Sequence, residues 1–146
     1  MKRLLIILVS GLLTTSVYAQ DKAAEELVAS MPKADMTYRE LMETMGKSSA
    51  TIHEGILRQN KQMVTYGVNY ILTHPAPKHK PWSIMQKSDQ QNFKSSLLAF
   101  DKILDTHAER VVKAADDNNW AMASEAAFDL QNACVSCHAM WKDKVK

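Results

Sequence analysis

Cysteine is scarce in this chain of 146 residues: there are two, and both fall in one five-residue stretch near the C-terminus. A framework of several disulfides is therefore excluded, and a structural zinc site lacks the second pair of ligands it would need. Glycine is almost as sparse, at four residues, and apolar and polar residues rarely alternate with the two-residue period of a strand. That composition argues against a sheet. No basic run with interleaved aromatics occurs, so nothing points to nucleic acid. Internal repeats and low-complexity segments are missing. The one strongly apolar run, at the N-terminus, is too short to cross a hydrocarbon core comfortably.

That run has a different use. Met1-Lys2-Arg3 is a short basic start, Leu4-Leu5-Ile6-Ile7-Leu8-Val9 opens an apolar core that continues to Leu13, and Val17-Tyr18-Ala19 offers small or β-branched residues at a cleavage position. This layout predicts a signal peptide over residues 1–19, cleaved after Ala19, with export of a soluble product to the periplasm. The residue directly after the site is Gln20 and not a cysteine, which argues against a lipid anchor. Removing 19 of 146 residues leaves 127, a single domain over 20–146 with enough chain for its own core. Loss of Lys2 and Arg3 leaves 16 basic residues against 16 acidic ones, so the net charge falls to zero.

The two cysteines stand in Cys134-Val135-Ser136-Cys137-His138. Three chemistries use this kind of spacing. A thioredoxin-type redox pair opens a helix after a strand, whereas this pair lies near the end of a long helical pattern. A zinc site wants four ligands. Covalent haem attachment is the third, with the histidine directly after the second cysteine. On a helix, positions three apart share a face, so both sulfurs reach vinyl groups of one porphyrin, and His138 becomes an axial nitrogen ligand to iron.

Apolar residues elsewhere repeat with the period of helices. The segment Asp21 to Ser30 reads as a short helix or a loose tail ended by Met31-Pro32. Thr37-Tyr38-Arg39-Glu40 is a capping box, followed by a stripe of Met42, Met45, Ser49, Ile52 and Ile56. Asn60 caps a second helix, carrying Met63, Val64, Val68, Ile71 and Leu72, which stops at His74-Pro75. Three prolines between Pro75 and Pro81 make a stiff surface crossover. His74 and His79 read as solvated there, and Lys78 and Lys80 as solvated loop charges or as charges that steer a partner. Ser88-Asp89-Gln90-Gln91 reads as a second capping box, opening a third helix with Phe93, Leu97, Phe100, Leu104, His107 and Val111 on one face. Asp116 to Asn119 breaks it and caps a fourth, where Ala123, Ala127, Leu130, Cys134, Cys137 and Trp141 align. The expected fold is all-α: an antiparallel up-down-up-down four-helix bundle with the Cys-x-x-Cys-His motif at its C-terminal end.

With that motif on the last helix, the chain resembles the class II c-type cytochromes, cytochrome c′ and its low-spin relatives of the cytochrome c-556 type, from about Thr37 onward. The second carrier of the resemblance is Leu41-Met42-Glu43-Thr44-Met45-Gly46: in the c-556 type, a Leu-Met pair followed by glycine four residues after the methionine supplies the distal ligand. The resemblance implies one haem c, bound through Cys134 and Cys137, with His138 and Met42 as the axial ligands of its iron. Read from the residues alone, Met42 also suits a core position, Met45 is its neighbour one turn along, and His53 lies further down the same helix. Gly46, without a Cβ, lets a helix backbone approach a porphyrin. Trp141 and Lys142 take the places of an aromatic and a basic residue near the haem in the family.

With both axial positions filled, the resemblance implies a one-electron carrier and not an enzyme, docking transiently on redox partner proteins. A haem protein of the cytochrome c′ kind, binding or sensing a gas at an open or displaceable distal site, is the competing reading. Bundles of this family occur as monomers and as homodimers.

Overall fold

The computed structural model describes the backbone of residues 7–146 and the side chains from Ala19 onward. Residues 1–6, with the basic start of the predicted signal peptide, lie outside that description, as do the side chains of residues 7–18. Among the described residues there are five α-helices: α1 (Ile7–Ser30), α2 (Tyr38–Leu57), α3 (Lys61–Thr73), α4 (Gln90–Asp116) and α5 (Trp120–Trp141). Two short 3₁₀ turns cover Pro81–Ile84 and Lys142–Lys144. Among the described residues there is no strand, only isolated bridges pairing Lys33 with Ala76 and Met85 with Val145. Among the same residues no helix is long and apolar enough to cross a membrane.

Local chemistry explains where the helices begin and end. At the start of α2 the Thr37 N–H donates to Glu40 Oε2 at 2.6 Å and the Glu40 N–H donates to Thr37 Oγ1 at 3.2 Å, the reciprocal capping box. The α2–α3 and α4–α5 turns repeat one design. A residue takes left-handed backbone, Gln59 at φ 51° and Asn118 at φ 55°. An asparagine then caps the next helix, Asn60 accepting from the Met63 N–H and Asn119 from the Met122 N–H, each at 3.1 Å. The expected capping box at Ser88 does not form. Asp89 precedes α4 with helix-like backbone and no side-chain cap, and the Gln86 carbonyl accepts from the N–H groups of Asp89 and Gln90 at 2.9 and 3.2 Å. That turn satisfies two N–H groups at the entry to α4.

α2 packs along α3, α4 along α5, α3 on α4 and α2 on α5, so the four close on one another, while α1 lies against α4. Glycine permits the closest of these approaches. A Cβ at Gly67 would sit 2.7 Å from the Ser48 carbonyl oxygen, and one at Gly55 would sit 2.8 Å from the Val64 nitrogen. Two apolar clusters result. The larger joins Ile52 and Ile56 of α2, Val64, Val68 and Ile71 of α3, Ala108 and Val111 of α4, and Ala123, Ala127 and Leu130 of α5. Burying each of its Val, Leu and Ile side chains contributes about 1.5–3 kcal/mol. The smaller gathers Ala24, Trp82, Met85, Phe93 and Trp141. Its rings meet edge to face, Tyr38 with Phe93 at 6.1 Å and Phe93 with Trp141 at 5.3 Å.

Candidate functional site

Between the two clusters lies a cavity of about 410 Å³, within the range of roughly 300–1,000 Å³ usual for cofactor and small-molecule sites. Residues from α1, α2, α4, α5 and the segment after α3 line it. Most of the lining is apolar. Its polar side chains include Ser49, His53, His74, Asp101, Gln131 and His138, and among the described residues no lysine or arginine lines it.

Cys134, Cys137 and His138 all face this cavity from the last turns of α5. The helix continues without a break through Trp141, whose ring is buried beneath Phe93 and fixes the end of α5. Cys134 and Cys137 form no disulfide with each other. Burial raises the pKa of each, with the Cys134 sulfur adding to the effect at Cys137. Reactive redox thiols sit at helix N-termini or beside cations, where the thiolate is favoured. These lie at the opposite pole of a helix, where the dipole disfavours it. Among the described residues no three His, Cys, Asp or Glu side chains gather as a metal-binding group, and a zinc site built from side chains needs at least that many.

From α2, Met42, Met45, Gly46, Ser49 and His53 face the same cavity. The structure thus brings together the four residues singled out from the sequence, Cys134, Cys137, His138 and Met42, although up to 96 residues of chain separate them. It also distinguishes the two methionines. Met45 packs against the larger core cluster, whereas Met42 belongs to neither cluster. Gly46 has no described atom within 4 Å of where a Cβ would stand. Unlike Gly55 and Gly67, it borders open space. His53 lines the lower part of the cavity, but its Nε2 is buried without a hydrogen-bond partner among the described residues.

Sequence reasoning missed one wall of this site. Val28 and Met31 of the N-terminal segment line it, as do His74, Ala76, Pro77 and Pro81 of the proline crossover. The crossover is therefore built into the site: Ala76, Pro77 and Pro81 are buried. His79 is not free in solvent either, since its Nε2 accepts from the Tyr38 N–H at 3.1 Å. Lys78 and Lys80 are paired, with Asp35 at 3.1 Å and Glu25 at 2.7 Å, and so do not stand as free steering charges. One signal was present in the sequence: Ala24, Val28 and Met31 step by four and three, the spacing of a helix face. Among the described residues Asp101 is the one carboxylate on the wall, and burial pushes its pKa up while His74 opposes the shift. Burial likewise pushes the Tyr38 phenol above its usual value, aided by Cys137.

Comparison of the chain with protein-family models, with curated proteins and with solved structures returns no match in any of the three.

Proposed function

We propose that this chain is a monohaem c-type cytochrome of the class II kind, exported to the periplasm by a signal peptide over residues 1–19, that acts as a one-electron carrier. The observation that carries the reading is the convergence of Cys134, Cys137 and His138 of α5 with Met42 of α2 on one largely apolar cavity. The donor set suits haem. A porphyrin brings its own four nitrogens, so iron needs only two axial ligands from the chain, and an imidazole with a thioether is an established pair. The cavity's apolar lining suits the macrocycle, and the open space beside Gly46 leaves room for a flat group against α2. The tight turns at Gln59 and Asn118 and the mutual packing of α2 to α5 support the antiparallel up-down-up-down arrangement.

The chain's own residues would then divide the work. Cys134 and Cys137 would hold the haem through two thioether bonds, and His138 and Met42 would supply its iron with an imidazole and a thioether, a pair that favours the reduced metal; Met45 would serve the core. Leu41, Leu97, Phe100 and Leu104, which line the cavity, exclude water. The haem supplies an iron that cycles between ferric and ferrous states. Partner proteins exchange electrons through small, transient interfaces.

The optical spectrum of mature protein from a host that attaches c-type haem tests this. The expected result is a low-spin ferrous spectrum with sharp α and β bands, indifferent to carbon monoxide. A high-spin spectrum that shifts at once with carbon monoxide would replace the carrier by the gas-binding reading.

A further inference from the structure

Residues 20–31 are held to the bundle by more than apolar contact. Lys94 of α4 is almost buried, its side chain 10% exposed, and its ammonium donates to Asp21 and to Glu25, the latter at 3.4 Å. The same ammonium stands 4.5 Å from the centre of the Trp82 ring. Lys80 Nζ donates to the other Glu25 oxygen at 2.7 Å, and Ser95 Oγ donates to Gln20 Oε1 at 2.9 Å. Ala24, between the two acids, is fully buried. At the far end of the segment the Ala76 N–H donates to the Pro32 carbonyl at 2.7 Å and the Lys78 N–H to the Met36 carbonyl at 2.9 Å. A segment clamped at both ends thus presents Val28 and Met31 to the cavity.

We infer that residues 20–31 form a charge-latched wall that limits the access of external ligands to the centre in the cavity, an inference that rests on the haem reading above. The latch works through Lys94. A near-buried cation is tolerated only while its partners remain, and neutralising both acids leaves an uncompensated charge against Trp82. Asp21 and Glu25 are each more than a third exposed, so their amides fit the same space and the bundle beneath is undisturbed. The expected response is local: the segment detaches from its N-terminal end as far as the Pro32 contact, and Val28 and Met31 withdraw from the cavity.

The test uses mature haem-loaded protein. Amide hydrogen exchange of residues 22–31 should be slow in the parent and roughly tenfold faster or more in D21N/E25Q. In a Met42→Ala background, whose distal position is open, adding D21N/E25Q should raise the carbon monoxide association rate about tenfold, as a lost barrier to entry predicts. V28A/M31A should raise that rate while leaving the exchange slow, because it thins the wall without touching the latch. Exchange in the parent as fast as in an exposed loop overturns the inference. So does an association rate equal with and without the latch substitutions. A mature chain without haem overturns the functional reading and the gating role with it, whereas slow exchange of residues 22–31 in that chain upholds the latch alone.

Discussion

The two ends of the bundle obey opposite rules. Toward the α2–α3 and α4–α5 turns, alanines and β-branched residues close the space completely: Val64, Val68, Ala108, Val111, Ala123 and Ala126 are all fully buried. Toward the other end the residues are larger, with Tyr38, Phe93, Phe100, Met42 and Met31 around a cavity they do not fill. Protein interiors pack to crystal-like density, so closure at one end with small residues and an unfilled cavity among large ones at the other support the proposal that the open end receives a group. The glycines repeat the contrast. Gly55 and Gly67 are pressed against a neighbouring helix, and Gly46 faces open space. Hydrophobic periodicity alone does not separate these ends, because both present apolar residues at intervals of three and four.

The sharpest way to break this comparison is to remove an anchor at the open end. C134A/C137A should abolish covalent haem while the helical content persists, read by haem staining of a denaturing gel and by circular dichroism. At the closed end, Leu130→Ala should cost about 2–5 kcal/mol of stability, with a cavity left among its neighbours, and should leave the positions of the optical bands unchanged. The two methionines sit on the boundary. Met42→Ala should convert a low-spin spectrum to a high-spin one with little change in stability, whereas Met45→Ala should keep the spectrum and lower the midpoint of thermal unfolding. A reversal of those two outcomes would move the distal ligand to Met45. Smaller still, Thr37→Ala should cost about 0.5–2 kcal/mol by deleting the α2 cap, read in denaturant unfolding.

The latch adds a pH dependence. Its facing charges are Asp21 and Glu25 from α1, Lys94 from α4 and Lys80 from the crossover. The hydrogen bond from Lys80, joined by that from Lys94, holds the Glu25 pKa below its usual value although burial opposes the shift. Burial works against the Lys94 charge, but the hydrogen bonds to Asp21 and Glu25 outweigh it and hold that pKa above its usual value. A lowered carboxylate pKa stabilises the docked segment above the unfolded carboxylate pKa and loses that effect as pH falls through the folded one. A raised lysine pKa stabilises it below the unfolded lysine pKa and loses that effect as pH rises through the folded one. Exchange protection of residues 22–31, corrected for the intrinsic pH dependence of exchange, should therefore hold across the neutral range and decline first on acidification below the ordinary range of a glutamate.

How much of this was legible in the sequence divides along the same line. The helices from Tyr38 to Leu57, Lys61 to Thr73 and Trp120 to Trp141 were readable, because Thr37, Asn60 and Asn119 act on groups within three residues and His74-Pro75 stops α3 by local sterics. The site residues were readable as a motif, and the cavity brings them together. At Ser88 the chain instead makes a turn in which the Gln86 carbonyl accepts from the Asp89 and Gln90 N–H groups, and α4 starts at Gln90, one residue later than a Ser88 cap would place it. The wall was hidden for a different reason. Lys94 meets Asp21 across 73 residues and Lys80 meets Glu25 across 55, and no local pattern records such pairs. The prolines marked a stiff connection but not the direction in which Ala76 and Pro77 face.

One measurement bears most directly on the central claim: the intact mass of mature protein purified from a host competent to attach c-type haem. The account predicts the mass of residues 20–146 plus one haem, retained after denaturation. The mass of the polypeptide alone, with Cys134 and Cys137 still open to alkylation, would contradict it.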